Sequence, residues 1–234
     1  MKSALLFLLT LACAAPLGAP RIGVPPIPEG EKPEVWAGDI AELVRKPRGE
    51  PRPVLFYGSS SIRLWKSLAQ DMAPLPVVNS GFGGSRLYDA VYWAELVIAD
   101  HEPRAIVVFS GTNDIVGDAP RSAAWVAARF DELVERVRGL GCEAPLLYLA
   151  ITPSPAREEH LALVLEANRL IAARCATDSS LHFIDTGSGV LDASGRPDPR
   201  WFVEDGLHLN AEGYAHWTKT IRPVLFGLLG ETLN

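Results

Sequence analysis

A serine, a histidine and an aspartate in this sequence have the side-chain types that nucleophilic catalysis requires. Ser60 lies in a run of three serines that follows a short apolar segment, residues 54–57. A serine hydroxyl is a weak nucleophile until a neighbouring base takes its proton. His208 is the candidate base, because histidine changes its protonation state near neutral pH. Asp205 precedes His208 by three residues, so in a turn or helix it faces the same way and can orient the imidazole.

Acyl transfer also needs hydrogen-bond donors for the oxyanion that forms at the attacked carbonyl. Gly84 ends a glycine-rich run, residues 81–84, and can bring an unobstructed backbone N–H close to such an oxygen. Asn113 can donate from its side-chain amide, and Ser60 can donate from its own backbone N–H. Three candidate donors therefore accompany the candidate nucleophile and base.

The hydrophobic pattern predicts the elements that must position these residues. Apolar runs near residues 54–57, 77–79, 105–109, 145–151 and 181–185 predict five buried strands, and the segments between them predict amphipathic helices. Such alternation is typical of a parallel sheet covered on both faces. The carboxyl ends of its strands lie on one edge, where ligands bind. We therefore predict a three-layer α/β/α sandwich with the candidate residues on that edge.

Three helices are predicted with particular bounds. One extends from the serine run to about Met72, and another covers residues 156–176. The last begins after Asn210, whose side chain caps it. Pro223 is expected to kink or divide this last helix, because proline lacks the N–H that a helix interior needs.

Four short motifs follow one another along the chain: Gly58-Ser59-Ser60, Asn79-Ser80-Gly81-Phe82-Gly83-Gly84, Gly111-Thr112-Asn113-Asp114 and Asp205-Gly206-Leu207-His208. Together they resemble the four blocks of the SGNH hydrolases, also called the GDSL esterase/lipase family. The resemblance implies a flavodoxin-like fold with a five-stranded parallel sheet. It also implies the roles of nucleophile for Ser60, base for His208, orienting carboxylate for Asp205 and oxyanion donors for Ser60, Gly84 and Asn113.

The first motif departs from the family's Gly-Asp-Ser-Leu pattern. Ser59 stands where the family has aspartate, and Ser61 stands where it has leucine. Because that aspartate is not the nucleophile, the resemblance implies that the chemistry is retained. Counting from Gly58 selects Ser60 as the nucleophile, with Ser59 as the alternative.

The first twenty residues have the pattern of a secretory signal. Lys2 precedes an apolar run, residues 4–12, that is too short to span a bilayer and is followed by small residues. We predict a signal peptide at residues 1–20, a single domain at residues 21–234, and a secreted or periplasmic location. Lipid attachment at Cys13 is the alternative. No other stretch is long and apolar enough to predict a membrane span.

Charge and cysteine content limit the partners. The formal net charge of −6 disfavours nucleic acid and anionic membrane surfaces as partners. Cys142 and Cys175 lack metal-ligand spacing, and the resemblance implies catalysis without a metal or cofactor. Export favours a disulfide between these cysteines. Cys175 also fits the apolar face of its helix, so two separate buried thiols are the alternative.

Two features of the sequence bear on the substrate. The sequence contains no inserted lid or cap, which predicts an open site for a short acyl group, such as acetyl on a carbohydrate or small molecule. The chain also resembles the branch that contains the platelet-activating-factor acetylhydrolase catalytic subunits, which implies an acetyl ester. Lysophospholipid hydrolysis is the alternative activity, and a non-catalytic glycan-binding protein on the same fold is the alternative from another class.

Four further residues have two interpretations each. Trp201 and Phe202 precede Asp205 and either line an acyl or sugar pocket or pack in the core. Arg63 and Arg86 either meet an acidic substrate or are solvated near the starts of helices.

Overall fold

The computed structural model describes residues 22–46, 49–117 and 120–232, and its centre is a parallel β-sheet. The described residues contain five strands: β1 (Val54–Gly58), β2 (Val77–Gly81), β3 (Ala105–Phe109), β4 (Leu146–Leu149) and β5 (Leu181–Ile184). All pairs are parallel, in the order β2-β1-β3-β4-β5. The predicted signal segment and Cys13 lie outside the described residues.

The burial of the strands explains their apolar sequences. Every residue of β1, β3 and β4 is buried, as expected for central strands with helices on both faces. Alternate residues point to opposite faces. Leu55 and Tyr57 therefore join one hydrophobic core, while Val54 and Phe56 join the other. The predicted five-stranded, three-layer α/β/α fold is confirmed.

Seven α-helices cover the sheet in the described residues: α1 (Ala37–Arg45), α2 (Ser60–Arg63), α3 (Leu68–Asp71), α4 (Leu87–Ile98), α5 (Ala123–Gly139), α6 (Leu161–Cys175) and α7 (Ala211–Leu229). Helices α1, α4, α5 and α6 contribute to the core on one face, and α2, α3 and α7 to the core on the other. None of the described helices has the length and apolar character needed to cross a membrane.

Aromatic packing fixes α7 against the turn that carries Ser60. Trp65 stacks on Tyr214 of α7 with ring centroids 5.2 Å apart, and the Tyr214 hydroxyl donates to the carbonyl of Ser61 at 2.8 Å. Trp217 packs on Phe109 at the end of β3, with centroids 4.8 Å apart. The two regions that carry Ser60 and His208 are therefore held together by a buried aromatic cluster.

The helix predicted from the serine run to Met72 is wrong, because the structure has two single-turn helices, α2 and α3, in its place. Between them, Trp65 is buried in the core and stacks on Tyr214 of α7. Trp65 Nε1 and Ser67 Oγ both donate to Asp71 Oδ2, each at 2.6 Å. This local network, and the burial of Trp65, account for the break.

The other two helix predictions are correct only in part. Helix α7 begins after Asn210, as predicted, and the Asn210 side chain caps it by accepting from the N–H of Gly213 at 3.0 Å. The segment Pro155–His160 is a 3₁₀ turn, interrupted by a non-helical Arg157, and α6 begins only at Leu161. Helix α7 continues through Pro223, so the proline does not divide it. Leu225 and Phe226, in the turn that follows the proline, are fully buried. Their packing accounts for the continuity of the helix.

The disulfide considered from the sequence is absent, since both Cys142 and Cys175 are free thiols. Cys175 is buried on the inner face of α6 beside Ile171, as the alternative stated above requires, whereas Cys142 is only partly buried. Burial raises the pKa of the Cys142 thiol and raises that of Cys175 to about 11. Both therefore behave as packing residues.

Candidate active site

Ser60 lies at the sharp turn between β1 and α2. The strand ends at Gly58, whose φ of 135° suits glycine, and a Cβ there would overlap the carbonyl of Phe109. The N–H of Ser59 donates to that carbonyl oxygen at 2.9 Å. Ser60 then begins α2, so its backbone N–H belongs to the first, unpaired turn of a helix. The turn thus puts Ser60 at the carboxyl edge of the sheet.

Ser60, His208 and Asp205 form a continuous chain of hydrogen bonds. His208 Nε2 lies 2.9 Å from Ser60 Oγ, and His208 Nδ1 lies 2.6 Å from Asp205 Oδ2. The other carboxylate oxygen of Asp205 accepts from the backbone N–H groups of Leu207 at 2.8 Å and His208 at 2.9 Å. The three residues proposed from the sequence are thus brought together across 148 residues of chain.

The charge of Asp205 defines the tautomer of His208. Burial acts to raise the pKa of Asp205, but hydrogen bonds from His208 and Leu207 outweigh it and hold that pKa below its ordinary value. The ionised carboxylate only accepts hydrogen bonds, so Nδ1 carries a proton toward it. In the neutral ring Nε2 is then the acceptor, and it faces the Ser60 hydroxyl. This arrangement can take a proton from Ser60.

The loop that carries Asp205 and His208 is folded by its own backbone. The N–H of Val203 donates to the His208 carbonyl at 2.8 Å, and that of Gly206 donates to the Val203 carbonyl at 2.9 Å. Gly206 has a φ of 64°, the left-handed conformation that glycine tolerates. Its carbonyl accepts from Ala156 N–H at 3.0 Å. The loop is therefore also attached to the turn that follows β4.

Gly84 and Asn113 lie next to each other on the same edge. A Cβ built on Gly84 would lie 3.9 Å from Asn113 Nδ2. Asn113 Nδ2 donates to the carbonyl of Ser85 at 2.9 Å, and Asn113 Oδ1 accepts from Arg157 Nη2 at 2.9 Å. Gly84 itself is exposed. The two residues can present donors to one small anionic oxygen.

Backbone contacts join the loops that follow β1, β2 and β3. Gly58 at the end of β1 pairs with Gly81 on one side and Phe109 on the other. The N–H of Phe82 donates to the carbonyl of Gly58 at 2.9 Å. Since β1 lies between β2 and β3, the turn that carries Ser60 lies between the loops that carry Gly84 and Asn113.

Trp36 supports the loop before Gly84, a contact that sequence reasoning missed. Its ring lies against Gly83, where a Cβ would overlap it, and packs edge-on against Phe82 with centroids 6.0 Å apart. Its Nε1 donates to Asp89 Oδ2 at 2.9 Å. The only signal in the sequence is a tryptophan near the N-terminus, which specifies no partner.

Arg86 is partly solvated near the start of α4 and also forms an ion pair, its side chain being 41% exposed. Its Nη1 lies 3.4 Å from Glu31, and Arg121 Nη2 lies 2.8 Å from the same carboxylate. The Glu31 side chain is only 1% exposed. Two arginines therefore compensate one buried charge beside the start of α4.

The aromatic residues before Asp205 lie mainly in the core. Phe202 is buried and forms an isolated β-bridge with Leu209. Trp201 is half-buried against the hydrophobic core that contains Phe202, and the Arg200 guanidinium lies 4.5 Å from its ring.

Arg63, the other arginine considered from the sequence, is exposed at the end of α2.

Asp114, next to Asn113, is a buried carboxyl that links two of these loops. Its Oδ2 accepts from the N–H of Leu87 at 2.9 Å, at the start of α4. Burial is the main cause that raises the pKa of Asp114 to about 7, and the charges of Glu31 and Asp89 raise it further. The described residues contain no group of three or more His, Cys, Asp or Glu side chains arranged to hold a metal ion.

The three-layer fold with these residues on the carboxyl edge of its sheet is that of the SGNH hydrolases. The model of the GDSL-like lipase/acylhydrolase family matches residues 49–216, and the chain belongs to that family. The chain is similar to the platelet-activating factor acetylhydrolase IB subunit alpha2 of Homo sapiens, with 24% identity over 209 residues, covering 84% of this chain and 86% of the relative. The protein is an ester hydrolase.

Solved structures have the same fold. A GDSL-like lipase from Bacteroides thetaiotaomicron superposes with a TM-score of 0.66 and 16% identity, covering 84% of this chain and 98% of that one. An acetylxylan esterase from Geobacillus stearothermophilus, solved as a catalytic mutant, superposes with a TM-score of 0.57 and 14% identity, covering 78% and 96%.

Proposed function

We propose that this protein is an exported serine esterase that removes short acyl groups, chiefly acetyl, from a carbohydrate or other small molecule. The observation that carries the proposal is the chain of hydrogen bonds from Ser60 through His208 to Asp205, at 2.9 and 2.6 Å. A hydroxyl, an imidazole and a carboxylate in this order are the groups of a serine hydrolase.

The first half of the reaction forms an acyl-enzyme. Ser60 Oγ attacks the ester carbonyl carbon while His208 Nε2 takes its proton, and Asp205 stabilises the imidazolium that results. The carbonyl oxygen becomes an oxyanion, which accepts from the N–H groups of Ser60 and Gly84 and from the Asn113 amide. The carbon–oxygen bond of the ester then breaks, and the leaving alcohol takes the proton from His208.

The second half regenerates the enzyme with water. His208 Nε2 takes a proton from a water molecule, whose oxygen attacks the carbonyl carbon of acyl-Ser60. The same donors stabilise the second oxyanion. The bond to Ser60 Oγ breaks, the serine regains its proton from His208, and the carboxylic acid leaves.

The environment of the neighbouring serines supports Ser60 as the nucleophile. Ser59 is 1% exposed, so a substrate cannot reach its hydroxyl without a rearrangement of the turn. Ser60 is half-buried, and its Oγ is the atom that faces His208 Nε2.

Two observations support a short acyl group. The relatives include proteins named as an acetylhydrolase and an acetylxylan esterase. The Asp205 side chain is 47% exposed, so the site lies at the surface, where a polar alcohol group remains solvated while a small acyl group contacts Ser60.

The test combines covalent labelling with a substrate series. A fluorophosphonate probe should label the wild type and Ser59→Ala but not Ser60→Ala, because only Ser60 has a base beside it. Among p-nitrophenyl esters, kcat/KM should be highest for acetate and fall with acyl length. Labelling that persists in Ser60→Ala contradicts the assigned nucleophile. A maximum at decanoate or longer contradicts the short-acyl proposal and favours a lysophospholipase-type activity.

Export rests on residues 1–20 and has its own test. Expression of the full chain in a bacterial host should deliver the esterase to the periplasm or the medium, with a new N-terminus between residues 14 and 21. A chain that remains in the cytoplasm with Met1 intact contradicts this part of the proposal.

A further inference from the structure

Arg157 lies outside the four motifs yet contacts the candidate oxyanion donor. It belongs to the 3₁₀ turn Pro155–His160, but its own φ of −135° and ψ of 27° are not helical. This change of direction turns the side chain away from the path of α6 and toward the loop after β3. Burial lowers the pKa of its guanidinium, so the charge is held in a partly desolvated place.

The guanidinium binds two groups of the loop after β3 at once. Arg157 Nη1 donates to the carbonyl of Thr112 at 2.6 Å, and Arg157 Nη2 donates to Asn113 Oδ1 at 2.9 Å. A planar guanidinium offers its donors in a fixed fork. One contact thus fixes the backbone before Asn113 and the other fixes its side chain.

The contact also decides which end of the Asn113 amide faces the site. A guanidinium has donors and no acceptor, so the atom that faces Arg157 must be the amide oxygen. The amide nitrogen then points the other way, where it donates to the carbonyl of Ser85. That carbonyl is an acceptor, so both ends specify the same orientation. An amide nitrogen has two N–H groups, and the second remains for a substrate oxygen beside Gly84.

The same turn also contacts the other side of the site. Ala156, which precedes Arg157, donates its N–H to the carbonyl of Gly206 at 3.0 Å, in the loop between Asp205 and His208. A single turn after β4 therefore reaches both the loop that carries the donor and the loop that carries the base.

We propose that Arg157 is a positioning residue of the esterase, which holds the Asn113 amide with its nitrogen toward the oxyanion. The inference rests on the proposed function, in which Asn113 is an oxyanion donor. Arg157 acts through Asn113 and does not touch the substrate. Its loss therefore affects the transition state, in which the oxyanion is present, more than the binding of the neutral ester.

The experiment is a double-mutant cycle with p-nitrophenyl acetate. Arg157→Met keeps most of the side-chain volume and removes the donors, and it is compared with Asn113→Ala and with the double variant. Arg157→Met should lower kcat about 10- to 100-fold with KM nearly unchanged, no more than Asn113→Ala. In the Asn113→Ala background, Arg157→Met should cause no further loss, because the group it positions is gone.

Two controls separate this role from general damage. Arg169→Met, which removes an exposed arginine of α6 paired with Glu166, should leave kcat unchanged. A cooperative thermal unfolding transition serves as the test that each variant is folded. If Arg157→Met does not fold, Arg157→Lys replaces it, because lysine keeps the charge but lacks the forked guanidinium. Arg157→Lys should lower kcat less than Arg157→Met does. That loss should also vanish in the Asn113→Ala background.

The outcomes distinguish this inference from the proposed function. Losses that multiply in the double variant, or a raised KM with unchanged kcat, show that Arg157 acts independently of Asn113 and overturn the inference. If Asn113→Ala lowers kcat while Arg157→Met does not, only the role of Arg157 fails. If Asn113→Ala itself retains full kcat, the assigned oxyanion donor fails, and the inference fails with it.

Discussion

The two sides of the candidate site are built in different ways. On one side, the groups of Ser60, His208 and Asp205 bind directly to one another, and the Asp205 side chain is 47% exposed. On the other side, Gly84 and Asn113 are neighbours held in place by other residues. Those residues include Trp36, whose ring lies against Gly83, and Arg157, whose half-buried guanidinium binds Asn113 Oδ1.

The difference follows from the groups involved. A hydroxyl, an imidazole and a carboxylate are complementary donors and acceptors, so they align one another once their loops meet. Oxyanion donors must leave an N–H without a partner until the reaction occurs. The orientation of such an N–H comes from the surrounding structure, and that preorganisation is what stabilises the transition state.

The largest expected effect tests whether the directly bonded side acts as a unit. Ser60→Ala and His208→Ala should each lower kcat by at least about 10⁴-fold, and the double variant should be no worse than either, because the hydroxyl has no function without its base. The measurement is the kcat of p-nitrophenyl acetate hydrolysis. Losses that multiply, or a Ser59→Ala variant as inactive as Ser60→Ala, contradict the assignment.

The residues of the directly bonded side can be predicted from the sequence, whereas the residues that support the oxyanion donors cannot. The motif residues were found because their types match a reaction and their positions follow strand ends. For Arg157 the sequence predicts only a position in a helix, residues 156–176, because its partners Thr112 and Asn113 are 45 and 44 residues away. Contacts over such distances leave no local pattern in a single sequence.

The same reasoning applies to the fold. The strands were predicted because burial on both faces requires continuous apolar runs. The break between α2 and α3 was missed, since it depends on which side chains reach Asp71. The sequence therefore predicts elements that depend on hydrophobic pattern and misses those that depend on specific polar contacts.

The second prediction concerns the oxyanion side. Asn113→Ala should lower kcat by about 10²- to 10³-fold with little change in KM, the usual loss for one oxyanion donor. The loss is smaller than that of Ser60→Ala, because the N–H groups of Ser60 and Gly84 remain. Steady-state kinetics with p-nitrophenyl acetate measure it. A kcat equal to that of the wild type removes Asn113 from the reaction.

Replacing Trp36 should have a smaller effect on kcat. Trp36 supports the loop before Gly84, although it lies outside residues 49–216, which the family model matches. Trp36→Leu removes the ring beside Gly83 and the bond to Asp89. It should lower kcat about tenfold with KM nearly constant, since the loop stays tethered elsewhere. Trp125→Leu on α5 is the control and should retain activity. Equal effects of the two variants would show that only general stability has changed.

The last prediction concerns the carboxyl of Asp114 and is measured as a change in the free energy of unfolding. We expect its effect on activity to be the smallest of the four. Burial raises its pKa to about 7, whereas an unfolded aspartate titrates near about 3.9. Between these values the folded protein keeps a proton that the unfolded chain releases, so rising pH removes stability. Urea unfolding at several pH values should show the wild type losing about 2–4 kcal/mol relative to Asp114→Asn between pH of about 4 and 7.

Asp192→Asn is the matched control for this titration, because a hydrogen bond from the Ser194 hydroxyl lowers the pKa of that exposed carboxyl. The stability from Asp192 is therefore complete above about pH 4 and is lost only at lower pH, so its difference from the wild type should stay constant over the same interval. A constant difference for Asp114→Asn as well would show that Asp114 is ionised throughout. The positive charge of Arg86 and the N–H of Leu87, which favour the carboxylate, would then outweigh burial and the negative charges of Glu31 and Asp89. Asp114 would in that case be an ion at the start of α4 and not a neutral acid.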